Sequence, residues 1–582
     1  MVYKIIRRKG RNTGHKFISM KISTKVSVLL LAAISFTSLN SCKKTFDISP
    51  ENAIDYKKVY QNIYDADAAV LGVYGQFLGI AKQYEILNEL RADLMDVTVN
   101  ADENLREIST NNISANNPYI DPKPFYAVIA NCNDVLKNLK DMYDAKRINQ
   151  SNYEQRYSDI GALRTWLYFQ LAIHYGEIPY VTEPVVNIYD VNDESKFPKK
   201  QLEDLVPELI TYMESLPYLE PYAEGSSLIS QIDGYPSKMI FINKNLLLGD
   251  MHLWVNEYNK AATYYKAVLE TTTPLGESAS SGAYYNFYVG SSGEDNDAAK
   301  PSAWQTFFSR SPQDNEYQWE WVWTMFFDKD YQPQNPFVDL FSNTGGQYLV
   351  KPSQNAIDNW NNQVQSDGTP YDLRGQDNSY KIINGQPVIM KFLYNYLDET
   401  TGLPDNILEK EGKWFLYRAS LLHLRFAEAA NRDGYTKIAY AFVNNGIKGT
   451  YDNPDVTNDV TERITNLPVP YDFDGRKMDA PRIRGKYHRN LGLRARVATT
   501  YLNEELKENT EMMAMEDAIV DEAALELAYE GNRWQDLVRI TLRREKEAAG
   551  TGFDFINSKL QAKTTSAKSI SKKEDLFLPF KF

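Results

Sequence analysis

Apolar residues recur at three- and four-residue steps from residue 66 onward, with Ala66, Ala69, Val70, Val73, Tyr74 and Phe77 on one stripe, which is the pattern of an amphipathic helix. The same spacing predicts helices over 84–95, 124–142, 153–175, 201–216, 236–253 and 256–271. In the third of these the stripe is Tyr126, Ile129, Cys132, Val135, Leu136 and Leu139, which makes Cys132 a small core residue. Residues 153–175 leave almost no polar face, so that helix is expected to be buried all round and to stop at Gly176, with Pro179 just beyond. The run from Leu248 to Tyr265 has the small-residue and aromatic spacing of a tetratricopeptide-like helix pair, so helix hairpins are expected to stack. Residues 98–118, rich in Asn, Asp and Ser, read as a loop.

Between about 275 and 410 the helical period disappears and Gly, Ser, Asn, Asp and Pro rise. Tyr317 to Thr324 alternates strictly, as a strand does. Helices return at 414–431, 437–444 and 512–543. The expected architecture is mainly α: a tetratricopeptide-like helical-repeat scaffold over about 65–274 and 411–547. An irregular, loop-rich, ligand-facing section with a few short strands lies on it over about 275–410, all within one globular domain, 65–582.

Ahead of this body, Lys21 and Lys25 precede an apolar run from Val26 to Phe36, followed by Leu39-Asn40-Ser41-Cys42. That is a basic region, an apolar region too short to span a bilayer, and a small-residue cleavage site. Residues 1–41 therefore read as a lipoprotein signal peptide, with translation starting at Met1 or Met20. Cys42 is the expected lipidation site, and 42–64 an extended leader from the anchor. Cys42 and Cys132 are the only cysteines, so an acylated Cys42 leaves no intramolecular disulfide. Residues 1–41 hold eight Lys and Arg and no acid; the rest carries 56 basic against 77 acidic residues, a balance that repels nucleic acid and anionic lipid.

No phosphate-binding loop, dinucleotide fingerprint, HExxH or GxSxG is present, and no His has another His or a Cys at metal-ligand spacing. His174 and His252 lie on predicted packed helices and read as hydrogen-bonded structural residues. No cofactor, metal or catalytic residue is expected. Glu522, Glu526 and Glu530 fall at i, i+4, i+8 on the last predicted helix, where like charges repel. Cations must face them, with Arg533, Arg164 and Arg418 as candidates; the seam is read as a docking device, and a ligand-binding carboxylate cluster is the alternative.

The chain holds 40 Tyr, 25 Phe and 9 Trp. Sugar rings stack their C–H faces on aromatic side chains and bond Asn, Asp, Arg or Gln at the edge. Ligand-contact candidates are therefore Trp304, Trp319, Trp321, Trp323, Phe327 and Tyr331, with Asn315 and Asn335 nearby. One face of a strand packed on helices is core, so the strand tryptophans can equally be structural; Trp360 and Trp534 read as structural.

Four blocks resemble a known family. They are Cys42 with Phe46-Asp47-Ile48-Ser49-Pro50; Tyr126-Ala127-Val128-Ile129 with Cys132-Asn133; Ala162-Leu163-Arg164-Thr165-Trp166-Leu167-Tyr168-Phe169-Gln170-Leu171 ending in Tyr175-Gly176-Glu177-Ile178-Pro179; and Glu526 to Arg539, with Glu530-Gly531-Asn532-Arg533-Trp534 at its centre. Together they are similar to the SusD/RagB group of outer-membrane nutrient-binding lipoproteins of Bacteroidetes. Ala523, where an Arg is usual, departs from the pattern. The resemblance implies a tetratricopeptide-like scaffold anchored in the outer membrane and exposed at the cell surface. It also implies a SusC-like TonB-dependent barrel as partner, and an oligosaccharide or a peptide captured without chemistry. The competing reading is a helical-repeat scaffold that organises envelope proteins.

Overall fold

Asn62 starts the first helix: its side-chain oxygen accepts the Tyr64 amide at 2.8 Å while Asp65 accepts the Asn62 amide at 3.1 Å, a reciprocal cap. The computed structural model describes residues 59–581 except 186–194, 224, 233, 272–300, 310–319, 399, 452–463, 465, 477–484 and 488–489. The signal segment, Cys42, Asn315, Trp319 and His488 lie outside the described residues.

Helices α1 (Ile63–Phe77), α2 (Lys123–Asp144), α3 (Gln150–Tyr175), α4 (Leu202–Glu214), α5 (Lys244–Trp254) and α6 (Tyr258–Leu269) each pack on the next along the chain. The short helix α7 (Pro301–Ser309) and strand β1 (Trp321–Phe327) follow, then α8 (Gln354–Asn361) and strand β2 (Gly412–Arg418). The helical block resumes with α9 (Ala419–Arg432), which packs on α6, and α10 (Thr436–Val443). Then come α11 (Met512–Glu526), α12 (Arg533–Glu547) and α13 (Thr551–Lys563). The protein is mainly helical, as the periodicity predicts, with strands only in short two-stranded pairs among the described residues. No described helix is long and apolar enough to cross a membrane.

Close approach at the α5/α6 hairpin requires a glycine. A Cβ on Gly249 would lie 2.5 Å from the Tyr265 ring, whose hydroxyl bonds Asp250 at 2.7 Å. Gly249→Ala is therefore expected to cost about 1–3 kcal/mol of stability, as overpacking does. Urea denaturation checks this, and an unchanged midpoint would show that the hairpin is loosely packed.

Three predicted elements are corrected. The helix expected at 414–431 begins as β2, because Gly412 to Arg418 pairs antiparallel with β1 from Gly412↔Phe327 to Arg418↔Trp321. The helix expected at 512–543 is two helices, broken between Glu526 and Arg533 where Tyr529 and Gly531 take φ of 75° and 72°. The loop expected at 98–118 contains a helix, Glu103–Ser109, capped by the Asp102 side chain.

All seven residues of β1 and all seven of β2 are buried, so both faces of this ribbon are core. At its centre Phe77 of α1 stacks on Trp323 (5.6 Å, 6°) and on Trp414 (5.1 Å), and meets Trp166 of α3 edge-on at 5.3 Å. The ribbon is thus locked between scaffold helices by aromatic contacts.

Candidate functional site

The described aromatic candidates separate by exposure. Trp304, Trp321, Trp323 and Phe327 are buried, and a ring sealed in the core cannot offer its face to a ligand. The reading of these four as ligand platforms is corrected. For two of them the polar tip is satisfied in the core: the Trp321 indole N–H donates to the Phe307 carbonyl at 2.9 Å and that of Trp323 to the Ile240 carbonyl at 2.8 Å. Strict alternation on one strand suggested an open face; the 237–240 turn and α7 cover it.

Trp304 has another role. Its ring faces the cationic groups of Arg496, Arg418 and Lys391 at 5.2, 5.6 and 5.8 Å. These cations belong to a buried, charge-balanced cluster of five bases, Arg374, Lys391, Arg418, Arg494 and Arg496, and five acids, Glu320, Asp372, Glu522, Glu526 and Glu530. Of the cations expected to face the glutamates, Arg418 does, through its Nε to Glu530 at 2.7 Å. Arg533 instead pairs with Asp93 at 2.7 Å, and Arg164 bonds Asn133. With every acid consumed by ion pairs in the core, the cluster holds α11 to the rest of the body.

Tyr331 is 73% exposed. Its loop is nonetheless held: the Asp328 carboxylate accepts the amides of Asp330 (2.6 Å) and Tyr331 (3.2 Å). The Gln334 side chain donates to the carbonyls of Lys329 (2.9 Å) and Leu408 (3.1 Å), and Lys329 lies 3.6 Å from Glu409. Leu403, Ile407 and Leu408 on the neighbouring loop are exposed too, so the two loops form an aromatic and aliphatic ridge edged by Gln334, Asn406 and Glu409. Asn335, expected as an edge contact, is buried, with its amide on the carbonyls of Phe392 and Glu411.

Two clefts were not foreseen. One, of about 570 Å³, lies among α8, α11 and α13 and is lined by Asn355, Asn359 and Asn362. Its buried charged residues Arg494, Glu522, Arg533 and Asp93 are spent on each other or on the cluster, and Asp517 pairs with Arg544 and Asp521 with Lys559. The other, of about 700 Å³, lies among α2, α3 and α4 around Tyr157, Tyr180 and Tyr212. Periodicity assigns such tyrosines to packing, and only the three-dimensional gap between helices distinguishes them.

The histidines differ from expectation in one case. Neither ring nitrogen of buried His174 has a hydrogen-bond partner, and burial, with the Arg91 charge, pushes its pKa down to about 3, so it is a neutral core residue. His252 Nδ1 lies 2.7 Å from Glu257. Cys132 is buried, and burial pushes its thiol up to about 12. Trp360 and Trp534 are buried, the former donating to the Leu525 carbonyl at 3.1 Å. No three His, Cys, Asp or Glu side chains among the described residues are arranged to hold a metal ion.

Residues 487–579 match the model of the SusD family, a span that contains the Glu526 to Arg539 block. A SusD-like protein of Formosa agariphila is 21% identical over 252 residues, 42% of this chain and 45% of the relative, so the match spans less than half of that relative's length. The fold is shared with a SusD superfamily protein from Bacteroides vulgatus (TM-score 0.56, 12% identity, 89% of this chain and 96% of the other). A laminarin-binding SusD-like protein superposes with a TM-score of 0.54 at 14% identity over 89% of this chain and 96% of that one. For surface glycan-binding protein A from Bacteroides uniformis the values are 0.53, 16%, 89% and 96%. The motif blocks, the matched C-terminal segment and the helical scaffold agree in likening this chain to the SusD family, whose fold it shares.

Proposed function

We propose that the protein is a non-catalytic lipoprotein of the outer membrane that captures a nutrient glycan at the cell surface. Cys42 would carry the lipid and residues 42–64 the tether, and the captured oligosaccharide would pass to a SusC-like TonB-dependent barrel. The observation that carries this reading is Tyr331, an exposed ring on a loop braced at four points, beside apolar residues and side-chain amides. A rigid exposed ring stacks on a sugar face at little cost in conformational entropy. Two proteins that share the fold, a laminarin-binding SusD-like protein and surface glycan-binding protein A, support the same ligand class.

A screen of the full chain in detergent against host, dietary and algal glycans and against peptide mixtures tests this. The expected result is retention of at least one glycan class, with Tyr331→Ala weakening it roughly tenfold at an unchanged melting temperature. Retention of peptides alone, or a glycan affinity indifferent to Tyr331, would refute it.

A further inference from the structure

The cleft among α2, α3 and α4 holds an arginine prepared for an anion. Arg164 of α3 is 5% exposed. Its Nη1 donates to Asn133 Oδ1 at 2.7 Å and to the Thr182 carbonyl at 2.9 Å, and its guanidinium lies over the Tyr212 ring at 4.9 Å. Those contacts fix the plane of the group and use one nitrogen. The Nε–Nη2 edge donates to no described residue, and no carboxylate of a described residue lies within 4 Å of it. Neither nitrogen is sealed from solvent, and Arg164 lines the cleft.

That edge meets neutral oxygens in Arg91 and Arg494 but a carboxylate in other buried arginines. Arg374 on Asp372, Arg418 on Glu530, Arg533 on Asp93 and Arg539 on Glu428 each place Nε and Nη2 against a carboxylate. The fork matches the two oxygens of a carboxylate. An edge that opens on the cleft without such a partner is available to an anion from outside. The remaining lining of this cleft of about 700 Å³ mixes the rings of Tyr157, Tyr180 and Tyr212 with Lys137, Lys140, Lys200, Glu183 and Glu208, the last paired with Lys200, and Tyr157 continues outward to Tyr153 at 5.1 Å and Tyr143, which stacks on Tyr153 at 4.7 Å and 11°. The Tyr180 segment is held by Tyr168, whose hydroxyl bonds both the amide and the carbonyl of Val181.

We propose that this cleft binds a uronic-acid-bearing oligosaccharide, with the uronate carboxylate on the Nε–Nη2 edge of Arg164 and sugar rings on the tyrosine faces. An equatorial carboxylate leaves the C–H face of its ring free, so one residue can fork to the arginine and stack on a tyrosine together. The site is separate from the Tyr331 ridge and stands whether or not that ridge binds a glycan.

Calorimetric titration of the full chain in detergent with trimers of galacturonate, glucuronate, mannuronate and guluronate tests this, each beside its C6-reduced neutral counterpart and beside tri-glutamate. At least one uronate trimer is expected to bind roughly tenfold more tightly than its reduced form, the worth of a charge-assisted pair. Arg164→Lys, which keeps the charge but removes the fork, is expected to erase that preference. Tyr180→Ala, at a half-buried position, is expected to weaken uronate binding about fivefold even if Arg164→Lys does not fold, and Tyr331→Ala to leave it unchanged. The proposal is overturned by equal affinity for acid and reduced forms, by no uronate binding, by tri-glutamate binding as tightly as the sugar, or by uronate binding insensitive to Tyr180→Ala.

Discussion

Glu526→Gln is expected to lower the stability of the folded chain by about 3–5 kcal/mol, and Glu526→Lys to leave none folded. Glu526 Oε1 accepts Arg496 Nη2 at 2.5 Å and lies 3.4 Å from Arg418 Nη2, while Oε2 accepts Arg374 Nη1 at 3.0 Å. The same Arg374 nitrogen reaches Glu522 at 2.6 Å, which is how two glutamates one turn apart on α11 coexist. A glutamine keeps the shape but turns an amide N–H toward a guanidinium and leaves five cations facing four anions in the core. Burial alone would raise the Glu526 pKa; Arg496, Arg418 and Arg374 instead hold it well below the usual carboxylate range. Its folded pKa is therefore lower than its unfolded one. The stability it supplies is complete above the unfolded value, about 4.3, and is lost as pH falls through the folded one. Glu530 (Arg418, Lys391) and Glu428 (Arg539, Arg543) shift the same way against their own burial. Urea denaturation followed by tryptophan fluorescence measures both effects; a Glu526→Gln midpoint equal to that of the parent would show that the cluster does not hold α11.

The scaffold was legible because burial of one helix face leaves a periodic trace, and α2, α3 and α6 fall within a few residues of where that trace puts them. Other features left no such trace. Trp414 to Leu422 is a mostly apolar run, broken by Arg418 and Ser420, that fits a buried strand and a buried helix equally; pairing with β1, far away in sequence, decides for a strand up to Arg418. The tryptophans of β1 read as half-exposed because alternation implies one open face, yet α7 and the 237–240 turn close that face through contacts no local pattern encodes. At the candidate sites the chemistry was visible and the geometry was not. The exposure of Tyr331 fits its polar loop, a signal that failed for Trp304, whereas Arg164 looked like a partner for the α11 glutamates until the α2/α3 pairing placed it against Asn133.

The break between α11 and α12 leads to the second large effect. Glu89, buried at the end of the 86–90 turn, accepts three backbone amides: Tyr529 on Oε2 at 3.1 Å, and Asn532 and Arg533 on Oε1 at 2.9 and 3.2 Å. It therefore ties down the segment in which Tyr529 and Gly531 adopt positive φ, and a Cβ on Gly531 would strike the Tyr84 ring at 2.2 Å. Burial pushes the Glu89 pKa up to about 7 against those three amides and the Arg533 charge. Neighbouring Glu85, raised by burial and then by Glu89 and Glu530, adds to the same trend. The sign is opposite to that of Glu526. A carboxyl with a folded pKa above its unfolded one supplies stability that is complete below about pH 4.3 and is lost as pH rises through 7, about 4 kcal/mol in all. Glu89→Gln cannot titrate, and its amide N–H must face at least one backbone N–H, which costs about 2–3 kcal/mol. The variant is expected to be much less stable than the parent at pH 5 and to approach it at pH 8, because only the parent loses the Glu89 contribution in between. Urea midpoints for both chains at pH 5 and pH 8 decide the matter. A gap that stays constant would mean that Glu89 is ionised throughout, and one that widens with pH would mean that its three amide bonds outweigh its burial.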